Sequence, residues 1–343
     1  MWPSCWPVRV QSALLWPKSP RAQRQPLQHP VSDHGLFKAG HNFLVLDIKD
    51  RHVRIALVGV GQGGAERGRM LSLAALGIPV VLKHVSATFH PGRLAALMGP
   101  SGAGKTTLLD ILAGRKGRAG EIQGEVLYAG EAVPKRNLKR FCGYMEQANV
   151  LLPEFTVEQM LLYTTELKLS SSVSYQDKRK RVDKLIDKLQ LESCRKTKIG
   201  STLHRGISGG QARRVSVGLA LISHPALLLL DEPTSGLDSK MAAELCAVLK
   251  GLASDGFTLI ATVHSPSAPA FACFDDLLLL SNGGEAYAGE VQHVQRHFEG
   301  MGFVMPRHSF GFSLPDWLLD VLSKEEDVCE LWHKVDRKKF QHQ

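Results

Sequence analysis

Residues 99–106 read GPSGAGKT, a glycine-rich turn that closes on Lys105 and Thr106. The spacing is that of a phosphate-binding P-loop. The flanks agree, with an apolar run from Leu94 to Met98 before the turn and a helix-like TTLLDILAG at its end. Gly99, Gly102 and Gly104 let the backbone curl until successive N–H groups face one anion, and the positive end of the following helix dipole adds to the attraction. In such a turn Lys105 reaches the β- and γ-phosphates of a nucleotide, and the Thr106 hydroxyl ligates Mg²⁺.

A second group with chemical potential ends the run ALLLLDE (226–232). Two carboxylates at the end of a buried strand lie where a parallel sheet presents its ligand. Asp231 suits a magnesium-holding position, and Glu232 suits a base that orients and deprotonates an attacking water. Capping of the next helix is the alternative use for such a pair. In ISGGQ (207–211), Ser208, Gly209 and Gly210 form an anion-binding turn at a helix N-terminus, a second phosphate site separate from the first.

Elements must hold these groups in place. Strand-like patterns occur at 43–50, from 53 onward, and at 80–89, 93–99, 121–131, 226–232, 258–264 and 275–289, while 240–253 is helix-like. Residues 154–191 differ: Val182, Leu185, Ile186 and Leu189 fall at i, i+3, i+4 and i+7, which predicts a helical insert. Strands alternating with helices predict an α/β fold with a mostly parallel sheet covered on both faces. The strands at 80–89 and 93–99 are expected as a hairpin feeding the P-loop. Gly59, Gly61 and Gly64 satisfy GxGxxG, but no acidic residue follows at the required distance of about 20 positions and no clean helix follows either. This stretch reads as a flexible connection between two edge strands.

The 343 residues suffice for a real core, and 44% apolar with 22% charged residues is ordinary for a globular protein. Much of the net charge of +9 lies in residues 1–40, where Arg9, Lys18, Arg21, Arg24 and Lys38 face Asp33 alone, and in 134–140, 178–198 and 333–340. Nucleic acid, an anionic lipid surface or a solvated basic face each account for charge so dispersed. Six prolines in residues 1–40 forbid a continuous helix there and predict a disordered arm. The six cysteines are far apart and form no CxxC pair, which argues against a disulfide framework or zinc site. No apolar run approaches the roughly 20 residues needed to cross a bilayer.

Five motifs stand in a fixed order: the P-loop, a glutamine after a strand (GYMEQ, Gln147), SGGQ, LLLLDEPTSGLDS, and a histidine at a strand end (ATVH, His264). Together they resemble the nucleotide-binding domain of an ABC transporter. NVLLPEFTVEQML, RGISGGQARRVSVGLALISHP, VHSPS and GEVQHVQRHFEGMGF followed by LPDWLLDV are similar to the G subfamily, the White-type and pleiotropic-drug half-transporters. The resemblance covers residues 76–322. It implies a P-loop NTPase with a mostly parallel central sheet, an antiparallel β subdomain and an α-helical insert carrying the SGGQ signature.

The resemblance also implies roles. Gly99, Pro100, Ser101, Gly102, Ala103, Gly104, Lys105, Thr106 and Thr107 would wrap the phosphates of ATP, with Thr106, Gln147 and Asp231 at Mg²⁺. Glu232 would be the catalytic base, Gln147 would reach the lytic water, and His264 would clamp the γ-phosphate. Ser208, Gly209, Gly210 and Gln211 would close over ATP held by a second nucleotide-binding domain, in a homo- or heterodimer with Asp238 at its seam. Residues 41–305 would form the nucleotide-binding domain, with the insert at about 150–222, and 306–343 a linker toward an absent membrane domain. Transmembrane export of a lipid, sterol or xenobiotic-like substrate is the implied task, with the domain on the cytoplasmic face of a membrane and nucleic acid not its partner. A soluble ABC ATPase acting on nucleic acid or ribosomes, or a non-catalytic partner-binding remnant, are the alternatives.

Residues 150–163 are expected either to form a groove for the membrane domain or to join the core of the insert, through Leu151, Leu152, Phe155 and Met160. The sequence departs from the family in two places. The stretch at 46–55 offers His52 and Val53 where an adenine-stacking aromatic is usual, with Phe43 a weak substitute, and SLPDW (313–317) replaces NPAD.

Overall fold

The computed structural model describes residues 53–61, 80–115, 121–128, 131–132, 138–139, 141–148, 151–201, 204–306, 313–325 and 328–332. The arm at 1–40, the strand expected at 43–50 and the adenine-side residues Phe43 and His52 lie outside them.

Ten strands form one sheet: β1 (Val53–Gly61), β2 (Val80–Phe89), β3 (Leu94–Met98), β4 (Glu121–Tyr128), β5 (Glu131–Ala132), β6 (Cys142–Met145), β7 (Leu227–Leu230), β8 (Thr258–Thr262), β9 (Asp276–Ser281) and β10 (Gly284–Glu290). Their spatial order is β5-β4-β1-β2-β10-β9-β3-β8-β7-β6. Strands β9, β3, β8, β7 and β6 pair in parallel, while β5, β4, β1 and β2 form an antiparallel wing.

In the parallel strands the apolar residues divide between two layers by the period-two rule. Leu94, Ala96, Met98, Leu228 and Leu230 pack with one cluster, and Ala95, Leu97, Leu227 and Leu229 with the other. Helix α1 (Lys105–Leu112) covers the second face through Leu108, Leu109 and Leu112. The first face is covered by α4 (Gly209–Leu221) and α5 (Ser239–Ser254).

The insert consists of α2 (Val157–Lys168) and α3 (Tyr175–Lys188), capped by Thr156 and Ser174. Thr156 and Gln159 complete a capping box, and Val182, Leu185 and Ile186 are buried as their spacing predicts. Arg195 joins the insert at both ends: its carbonyl accepts from the Glu158 N–H, and its guanidinium pairs with the Glu158 carboxylate at 2.7 Å. After α5 come α6 (Ala268–Phe271), α7 (Val291–Gly300) and α8 (Leu314–Lys324).

Three expectations change. Strands β2 and β3 are not a hairpin, because β10 and β9 lie between them. Proximity in sequence suggested direct pairing, but the β9–β10 hairpin takes the edges between them, joining β3 on one side and β2 on the other. Gly59 and Gly61 belong to β1 itself, where Gly59 faces Lys83 and Gln123 on its two neighbours, so the paired strand extends through Gly61, while Gly64 lies outside the described residues. Residues 314–324 form a helix whose Trp317 and Leu318 are buried in the main core, where a linker was expected.

Candidate functional site

The P-loop connects β3 to α1. Gly99, Gly102 and Gly104 all take positive φ, and a Cβ at Gly99 would stand 2.1 Å from the Leu280 carbonyl oxygen. That approach explains why the turn opens with glycine. Lys105 is buried, and its ammonium donates to the carbonyls of Gly99 at 2.7 Å and Pro100 at 2.9 Å. Burial pushes its pKa down, against the upward pull of Glu232 and Asp231. The Ala103 N–H closes the turn on the Pro100 carbonyl at 3.2 Å. Ser101 and Gly102 are exposed, and Thr107 lies in the first turn of α1.

Asp231 and Glu232 follow β7 directly, and the parallel register with β8 brings both beside the P-loop. Thr106 Oγ1 lies 3.4 Å from Asp231 Oδ1. Glu232 adopts φ +47°, a conformation that an L side chain adopts only when its surroundings hold it there. The exposed Gln147, just past β6, donates to Glu232 Oε2 at 2.7 Å. His264 and Glu232 line one cavity of about 410 Å³, together with Thr234–Leu237 and Ser265–Ser267.

Two contributors were missed from the sequence. Thr262, fully buried at the end of β8, donates to Asp231 Oδ1 at 2.8 Å and accepts from the Glu232 N–H at 2.6 Å. A hydroxyl inside the apolar strand TLIAT was the available signal, since buried polar groups need partners. Arg213 on α4 donates to the carbonyls of Gln147 at 2.6 Å and Ser235 at 3.0 Å, tying the glutamine segment to the turn after Glu232. Burial lowers the pKa of its guanidinium, while Glu232 opposes the shift.

The other sequence candidates stand apart from the P-loop. Ser208 and Gln211 cap α4 reciprocally, at 3.2 and 2.9 Å, and Gly210 packs toward Met241. Asp238 caps α5 by accepting from the Met241 N–H at 2.8 Å. Among the described residues, the hydrogen bonds of Ser208, Gln211 and Asp238 remain within these helix ends. Ser208, Gly209 and Asp238 are exposed.

On the insert, Leu152, Tyr163, Leu167 and Tyr175 are exposed. An open groove of about 490 Å³ runs between Phe155, Leu162, Tyr163 and Tyr175, rimmed by Glu154 and Glu166. Met160 is buried, Leu151 and Phe155 pack partly against the core, and Leu152 is exposed.

A parallel sheet with an antiparallel wing, a helical insert and a P-loop facing an Asp-Glu strand end define a P-loop ATPase domain of the ATP-binding cassette class. The family model "ABC transporter" matches residues 82–235, and the model "ABC-2 type transporter" matches 264–336. ABC transporter G family member 21 of Arabidopsis thaliana is 41% identical over 75% of this chain and 38% of its own length. Member 26 of the same plant is 37% identical over 76% and 40%, and member 22 of Dictyostelium discoideum is 40% identical over 72% and 40%. An ATP-binding cassette solved as a dimer in a post-hydrolysis state with ADP and Pi superposes with a TM-score of 0.52 at 24% identity, covering 70% of this chain and 98% of that one. The chain carries a match to the ABC transporter family over residues 82–235, and the curated relatives it resembles are G family members. It spans about two fifths of the length of the curated relatives it matches. Among the described residues no helix is long and apolar enough to cross a membrane, including those in the stretch matched by the second family model.

Proposed function

We propose that this chain binds and hydrolyses ATP as the motor domain of a G-type transporter. Two such domains close around two ATP molecules and drive export of a lipid, sterol or xenobiotic-like substrate. The observation that carries the reading is the convergence of Lys105, Thr106, Asp231, Glu232 and Gln147 beyond the C-terminal ends of β3, β7 and β6.

The P-loop N–H groups and Lys105 hold the phosphates, a role in which Lys105 exchanges its two carbonyl contacts for phosphate oxygens. Thr106 and Asp231 offer hard oxygen donors that fit Mg²⁺, which keeps waters and phosphate oxygens in its shell and needs no all-protein cage. Accordingly, the described residues contain no cluster of three or more His, Cys, Asp or Glu able to hold a metal alone. When bound, Mg²⁺ neutralises charge on the phosphates. Glu232 takes the proton of the attacking water, Gln147 orients that water, and His264 contacts the terminal phosphate. The turn at Ser208–Gln211, exposed at Ser208 and Gly209 and with its side-chain hydrogen bonds within its own helix end, serves ATP on a second domain. The apolar groove beside Tyr163 receives the membrane domain, with this domain on the cytoplasmic face.

The test is Glu232→Gln in the full chain. The variant should retain ATP binding and accumulate an ATP-bound dimer in size-exclusion chromatography. Undiminished ATP turnover by this variant would remove Glu232 as the base.

A further inference from the structure

Five non-glycine residues among those described have positive φ. Gln190 and His224 sit just past helix ends, and Asn282 lies in the β9–β10 turn. The other two, Glu232 at +47° and Ser265 at +48°, line the same cavity beside His264. Each conformation costs on the order of 1–3 kcal/mol unless neighbours hold it, and Ser265 also precedes Pro266, which disfavours helical conformations before it. For Glu232 the holding group is the Thr262 hydroxyl.

For Ser265 it is a carboxylate 51 positions on: the Ser265 hydroxyl donates to Asp316 Oδ1 at 2.5 Å. The second oxygen of Asp316 accepts from the Ser313 hydroxyl at 2.6 Å, and Ser313 caps α8 by accepting from the Asp316 N–H. Burial works to raise the Asp316 pKa, yet the Ser265 and Ser313 hydroxyls hold it below the ordinary value. Trp317 and Leu318, the next two residues, are buried, with the Trp317 ring edge-on to Phe298 at 5.9 Å. The acceptor therefore stands on a fixed base, and a hydroxyl bonded to a carboxylate is about twice as strong as a neutral pair.

We propose that Asp316 is a positioning residue for the His264 turn, holding Ser265 in its strained conformation so that His264 is aimed at the terminal phosphate of ATP. Asp316 does not itself touch nucleotide. The proposal rests on the reading of the P-loop as an ATP site. It assigns to helix α8, outside the nucleotide motifs, a part in sensing the γ-phosphate.

The test measures equilibrium binding of a non-hydrolysable ATP analogue and of ADP, each with Mg²⁺, to the full chain. Ser265→Ala removes the hydroxyl while leaving the cap of α8 intact. It should lose about tenfold in analogue affinity and less than about twofold for ADP. Asp316→Ala should do the same, the double variant should be no weaker than either single one, and Asp316→Asn, which keeps an acceptor, should retain most of the affinity. If Asp316→Ala lowers the thermal midpoint, Ser265→Ala decides alone. A wild-type analogue-to-ADP ratio in Ser265→Ala, or additive losses in the double variant, would overturn the proposal. Failure of the underlying reading looks different, because the unmodified chain would then bind neither nucleotide.

Discussion

The hydroxyl of Thr262 donates to Asp231 at 2.8 Å from a side chain that no solvent reaches, and the same oxygen accepts the backbone N–H of Glu232. One atom thus fixes both the carboxylate assigned to Mg²⁺ and the strained backbone of the assigned base. Thr262 and Thr106 both direct their hydroxyls at Oδ1 of Asp231.

Thr262→Val preserves shape and removes both hydrogen bonds, leaving the half-buried Glu232 N–H unpaired. It should cost about 1–3 kcal/mol of stability and at least about tenfold in ATP turnover. Thr262→Ser should restore most of both. Thermal unfolding and Mg²⁺-dependent nucleotide affinity are the measurements, and a Val variant equal to wild type in both would refute the role.

Lys105→Ala removes the buried ammonium that would meet the phosphates. Nucleotide affinity should fall by about a hundredfold or more, because a charge-assisted contact in a shielded turn is lost. Unchanged ATP binding by calorimetry would count against the phosphate cradle.

Gly99→Ala and Gly102→Ala should separate packing from backbone strain. The added methyl at 99 would collide with the Leu280 carbonyl oxygen, whereas at 102 nothing lies within 4 Å. Gly99→Ala should cost more than about 2 kcal/mol and abolish nucleotide binding, and Gly102→Ala should cost about 1 kcal/mol from its positive φ alone. Chemical denaturation of both variants gives the comparison, and equal losses would contradict it.

The Glu158–Arg195 pair makes the insert sensitive to acid. The hydrogen bond from Arg195 holds the Glu158 carboxyl below its ordinary value of 4.5, against a smaller upward effect of burial. The folded state therefore binds this proton less readily than the unfolded chain. The stabilisation is fully present above about pH 4.5 and is lost as pH falls through the lowered folded value. Glu158→Gln should lower stability by about 1–2 kcal/mol at pH 7, and the gap should close toward pH 3. Urea midpoints across this range provide the check. A gap of constant size would exclude Glu158 as the titrating group.

The chemistry was legible where it is local. The P-loop, the Asp231-Glu232 pair and the turn at Ser208–Gly210 are encoded by residues within a few positions of one another, and the apolar runs of β3, β7 and β8 announced a two-faced sheet. Less was legible wherever one strand edge had a choice of partners. Nothing local tells β2 that β10 will take its edge before β3 does, and nothing local makes Gly59 part of a paired strand. Hydroxyl roles were hidden for a related reason: Thr262 and Ser265 look ordinary in sequence, and their partners lie 31 and 51 positions away.

The amino-acid order by itself determined that this protein has a phosphate-binding turn, a pair of acids at a strand end, a signature turn and a helical insert, because each depends on contacts among near neighbours. Only the tertiary structure decided that Thr262 joins Asp231 to Glu232, that Arg213 ties the glutamine segment to the turn after the acids, and that α8 reaches back to the His264 turn. Those links are set by strand order and by the packing of buried residues such as Trp317, in which every part of the chain competes for the same surfaces.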